Sequence, residues 1–149
     1  MPPSMFDPAV RARFQERIRS LGPDAQRRWG LMTSSQMVCH LIDQLRIALG
    51  ELPTQPVSGV FRYPPFKQVV INVLPWPKGR IQGPPEAFTT VSSEWEKDVA
   101  RLGQLLEELG RRECQIEWAP HPIFGRMSGR LWSHLTCRHF DHHLTQFGA

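Results

Sequence analysis

The chain has 149 residues and a mass of 17.2 kDa, with 40% apolar and 21% charged residues. This is the size and composition of one globular domain over residues 1–149, and it excludes a disordered chain. Eighteen basic against fourteen acidic residues leave a net charge of +4. Residues 1–30, with six Arg and three acids, carry most of it. A surplus so small, with no run of like charges, argues against a nucleic-acid partner despite a pI near 9.4.

No stretch approaches the ~18 consecutive apolar residues of a membrane span, so no membrane partner is expected. The segment MPPSMFDPAVRARFQER lacks an apolar signal core. Cys39, Cys114 and Cys137 are far apart and form no CxxC pair. Both features fit a cytoplasmic protein with reduced thiols.

In chain order, the first predicted helix covers residues 7–21. Asp7 is placed to cap it, Pro8 suits its first position, and Val10, Phe14, Ile18 and Leu21 recur at helical spacing. Arg11, Arg13, Arg17 and Arg19 read as its solvated face. A second helix covers 33–49, capped by Thr33 or Ser34, with Met37, Leu41, Leu45 and Ala48 as its apolar stripe and Gly50 to end it. Residues 51–91 hold eight prolines and read as a long crossover, in which FKQVVINVL (66–74) is either a short helix or a buried segment. A third helix is expected over 92–109, capped by Ser92 or Ser93, with Trp95, Val99, Leu102, Leu106 and Leu109 inward. A fourth covers 128–146, its inner face running through Leu131, Trp132, Leu135, His139 and His142 or His143. Four amphipathic helices without an alternating strand predict an all-α four-helix bundle. The long crossover leaves room for the second and third helices to run parallel.

Four of the six histidines fall between residues 134 and 143, a crowding that helix propensity does not explain. His139 and His143 are one turn apart and share a helix face, the arrangement that lets two imidazoles hold one divalent ion. His40 lies on or beside the core-facing stripe of the second helix. It is either a core histidine bonded to a backbone carbonyl or a third ligand supplied across the bundle. Three neutral imidazoles would leave a position open for water or substrate.

These residues resemble the DinB-like (YfiT-like) superfamily of metal-binding four-helix bundles. The match rests on His40, on His139-x-x-x-His143 and on Gln146. More narrowly, the chain looks like an uncharacterised DinB-related family. That likeness rests on Trp29-Gly30-x-Met32-Thr33, Gln36-Met37-x-x-His40-Leu41 and Pro75-Trp76-Pro77-Lys78-Gly79. It continues through His121-Pro122-x-Phe124-Gly125, Trp132 and His139-x-Asp141-His142-His143-Leu144-x-Gln146-Phe147-Gly148. The resemblance implies a mononuclear divalent site on His40, His139 and His143, holding zinc, nickel or iron. It implies a metal-dependent enzyme acting on a small-molecule substrate. One form is a transferase that uses a low-molecular-weight thiol against a small electrophile; another is a hydrolase. The alternative is a non-catalytic metal-binding or stress-related interaction module. A homodimer is common among such proteins.

Around the ligands, Asp43 can accept a hydrogen bond from a ligand imidazole or be an unrelated acid. His142, offset by about 60° from His139, is a further ligand, a supporting group or a packing residue. Gln146 can bond a ligand or substrate, or serve as a helix-end amide. His121, between prolines, either reaches over the pocket mouth or holds a turn. Asp141 points away from His139 and reads as a solvated acid. Cys39 and Cys137 read as small buried hydrophobes, and the five tryptophans as core. Lys78 and Arg80, beside the Pro-Trp-Pro turn, are placed to meet an anionic substrate.

Overall fold

The computed structural model describes residues 1–79 and 83–149. Among these residues there are five α-helices and no strand. The helices are α1 (Pro8–Arg19), α2 (Ser34–Ala48), α3 (Phe66–Asn72), α4 (Trp95–Arg111) and α5 (Gly129–Gln146), with 3-10 turns at Val60–Arg62 and Pro85–Phe88.

Helix ends follow the local chemistry. The Asp7 side chain accepts from the Ala9 amide, with Pro8 behind it. Thr33 and Gln36 form a reciprocal capping box, which satisfies two backbone donors that the first turn of α2 would otherwise leave open. Ser128 caps α5. FKQVVINVL resolves into α3. The start of α4 differs from the sequence expectation. Ser92 and Ser93 stay outside the helix because their groups turn to Asp98, whose carboxylate accepts from Ser93 N and from both hydroxyls. Glu94 takes the cap position without a side-chain bond.

Cross-contacts set the directions of the four long helices. Cys39 meets Asp98 near the starts of α2 and α4, and Arg112 reaches the Leu49 carbonyl where both end, so these helices run parallel. Arg11 and Gln15 of α1 both bond Glu107, late in α4, and Gly103, one turn earlier, faces Gln15; these two are antiparallel. Ser4 meets Ser133 and Arg17 meets Asp141, so α1 runs with α5. His40 faces His139 and Gln44 faces Thr136, so α2 opposes α5. Between them lies a core that includes Met37, Leu41, Leu45, Leu102, Leu106, Trp132 and Phe140, all fully buried. Truncating one large aromatic in such an interior costs about 3–5 kcal/mol.

Two pieces of the crossover lie against this frame. Helix α3 packs on α5, where Arg138 donates to the carbonyls of Val70, Ile71 and Leu74. The turn Pro85–Phe88 packs on α2. The solvated arginine face of α1 needs correction at two positions: Arg17 is half-buried and donates to Asp141, Thr145 and the Ala149 carbonyl. Arg11 is buried, and its guanidinium donates to the Met5 and Phe6 carbonyls and pairs with Glu107. A buried guanidinium is tolerated because those acceptors occupy its N–H groups.

Candidate metal centre

Helices α2 and α5 bring His40, His139 and His143 together, with one nitrogen from each ring within 4.8 Å of the others. His139 Nε2 lies 2.9 Å from His40 Nε2 and 3.0 Å from His143 Nε2. The outer nitrogens are anchored. His40 Nδ1 is 2.7 Å from the Ala87 carbonyl, which can only accept, so this nitrogen carries the proton and donates. His143 Nδ1 is 2.9 Å from Gln146 Oε1. The Gln146 amide is itself oriented, because its Nε2 donates to the Trp29 carbonyl at 2.8 Å. Its Oε1 is therefore the acceptor, and His143 Nδ1 donates to it.

Both tautomers are thus fixed, and each leaves an unprotonated Nε2 aimed at His139. A single proton on His139 Nε2 can serve only one of two converging lone pairs. A divalent cation can serve all three nitrogens, so the donor set fits a metal ion. Electrostatics agree. Burial, before any other cause, lowers the proton affinity of all three rings. For His139 the neighbouring rings of His143 and His40 add to it, and His143 is pushed down to about 3. The imidazoles stay neutral at ordinary pH, the form that binds metal.

Supporting groups come from distant segments. Phe88 stacks on His40 at 4.6 Å between centroids. Asp43 does not touch an imidazole, contrary to one sequence expectation. Its carboxylate, fully buried, accepts from the Thr89 and Thr90 amides, each at 2.7 Å, and from the Thr90 hydroxyl. It therefore ties down the strand of chain directly after Ala87 and Phe88. At Gly30 the backbone φ is +79°, and a Cβ would collide with Gln146 Nε2. Only glycine allows that amide to reach the Trp29 carbonyl.

The family model described as "Protein of unknown function (DUF1569)" matches residues 15–149. The chain belongs to the DUF1569 family. No curated protein and no solved structure matches it.

Other expectations for this DUF1569 chain divide. Gln146 does bond a member of the cluster. His142 stays outside it, half-buried against Trp29 and Trp76, with centroids 5.9 and 6.0 Å away. His121 does not reach over the cluster. Its Nδ1 accepts from the Ile123 and Phe124 amides at 3.0 and 3.2 Å, closing the 121–125 turn against Trp132. Asp141 is exposed and pairs with Arg17. Cys39 and Cys137 are buried, and burial pushes their thiols up to about 11 and about 12. Neither is a thiolate at neutral pH. Trp132 is core, but Trp29 and Trp76 line a cavity beside the cluster, with Lys78 among its walls. Arg80 lies outside the described residues. Ala87, Phe88 and the Thr89–Thr90 pair carried no sequence signal, because they act through main-chain groups or by stacking. Trp29-Gly30 stood in the motif without a role.

Proposed function

We propose that this chain is a metal-dependent enzyme with a DinB-like four-helix-bundle fold, acting on a small-molecule substrate. The observation that carries the reading is the convergence of three imidazoles, two of them, His40 and His143, with fixed tautomers whose Nε2 lone pairs are directed at His139. The parallel α2–α4 pair and the antiparallel α2–α5 pair support the bundle. A divalent ion at this site, zinc, nickel or iron, would supply Lewis acidity, able to hold a thiol as thiolate or to activate water. His40 and His143 would hold it through Nε2, while Ala87 and Gln146 keep their Nδ1 protons in place. None of the three cysteines belongs to the histidine cluster, so the S-transfer form draws on an external low-molecular-weight thiol. Thiol-dependent transfer to an electrophile is the leading reaction, and hydrolysis is its alternative.

Elemental analysis of untagged protein beside His143→Ala tests the site. About one metal per chain is expected, absent from the variant. No metal in either, even after reconstitution with zinc, nickel and iron, overturns the reading. Metal-dependent conjugation of monochlorobimane with one of glutathione, bacillithiol or mycothiol is then expected. Its absence with every thiol removes the transferase form.

A second reading, a metal-binding interaction module that dimerises, is favoured by one observation. Phe61, Tyr63, Phe66, Val69 and Val73 are exposed along one stretch of the crossover.

A further inference from the structure

A cavity of about 550 Å³ opens between α1, α5 and the Trp29 and Trp76 segments. That volume falls in the range of about 300–1,000 Å³ typical of small-ligand sites. It shares a wall with the histidine cluster: Trp76 lies 6.1 Å from the His139 ring and 6.0 Å from that of His142. Trp29, Trp76 and Phe14 supply apolar surface.

The charges around it are unbalanced. Arg13, Arg17, Lys78 and Arg138 line it against a single carboxylate, Asp141. Asp141 is engaged by Arg17 at 2.8 Å, so these two offset each other. Arg138 is fixed by backbone carbonyls rather than by an ion pair, with Asp141 acting on it only at longer range, and its guanidinium lies 5.0 Å from the Trp76 ring centre. Lys78 Nζ sits 4.6 Å over the Trp29 ring. Among the described residues, neither Arg13 nor Lys78 has a carboxylate within 4.0 Å. Among the described residues Arg13, Lys78 and Arg138 form no ion pair; around an aromatic-walled hollow they repel one another, and the low-dielectric walls focus their field into it.

We infer that this cavity binds an amphiphilic organic anion, a carboxylate or phosphate whose apolar body lies against Trp76 and Phe14. The anionic group meets Lys78 and Arg13, which form no ion pair among the described residues, and Arg138 holds the far wall positive. The pocket recognises charge and an apolar body together, so neither inorganic phosphate nor a neutral aromatic satisfies it. The inference needs no metal at the histidines.

Calorimetric titration with 1-naphthyl phosphate, and with 1-naphthol as its neutral counterpart, tests it. Arg13 and Lys78 are exposed, so Arg13→Glu/Lys78→Glu should leave the core intact. Lys97→Glu/Arg101→Glu makes the same charge change on exposed positions of α4. Saturable one-to-one binding is expected, at least tenfold tighter than for naphthol. It should weaken at least tenfold in the first double variant and at high ionic strength, and hold in the second. His143→Ala should bind as wild type does, so a failure of the metal reading leaves this result standing. Equal binding by both double variants, equal binding of naphthol, no saturable binding, or loss of binding in His143→Ala would each overturn the inference.

Discussion

His121 is poised against its own turn. Its Nδ1 must stay unprotonated to accept from Ile123 and Phe124. Burial first, and the nearby Arg62 charge second, push it down to about 3. The unfolded chain takes up that proton near pH 6.5. Between the two values the unfolded state binds more protons, so the stability is present above about pH 6.5 and declines as pH falls toward the folded value. His143, also pushed down to about 3, acts in the same direction. His121→Asn keeps an acceptor close to Nδ1 and removes the titration. Urea midpoints measured from about pH 7 down to about pH 4 should fall less steeply in that variant; parallel slopes would place the sensitivity elsewhere. The role of His121 was ambiguous in the sequence because its partners are main-chain amides. His139 and His143 were legible because helical spacing alone puts both on one face.

A short turn decides how His40 is presented. Pro85–Phe88 supplies the carbonyl that fixes its tautomer and the ring that stacks on it, and Asp43 holds the next two residues. Asp43→Asn replaces one acceptor oxygen by a donor facing amide N–H groups. Metal affinity should drop about 10–100-fold, the range for losing an outer support. Melting of the metal-free protein should move far less than in a ligand-cluster collapse. Unchanged affinity, read by competition with a chromophoric chelator, would show that the turn holds its place without Asp43. At this scale the caps of α1 and α2 were readable, because Asp7 and Thr33 bond within three residues, while Ser128, read as the first residue of the last helix, is its cap. The start of α4 was not readable, since Asp98 recruits Ser92 and Ser93 away from capping. The crossover could be sized from sequence, yet which part of it touches α2 depends on long-range packing.

Over the whole molecule, the parallel α2–α4 pairing follows from a crossover long enough to return along the length of α2. The exposed apolar stretch from Phe61 to Val73 has no such sequence account, because exposure depends on what the rest of the chain leaves uncovered. If the stretch joins two copies, sedimentation velocity at micromolar protein should give a dimer, and Val69→Lys a monomer with unchanged helicity. A wild-type monomer under those conditions would remove the dimerising-module reading.

His40 and His139 lie 99 positions apart in the chain. An ion gripped by both would act as a removable cross-link, closing a loop of most of the polypeptide. Such a tether favours the folded state by RT ln(1 + [M]/Kd), so tolerance to heat would rise and fall with metal supply. A chelator would then loosen the scaffold as well as emptying the centre, and the abundance of this protein in a cell would become a gauge of the metal around it.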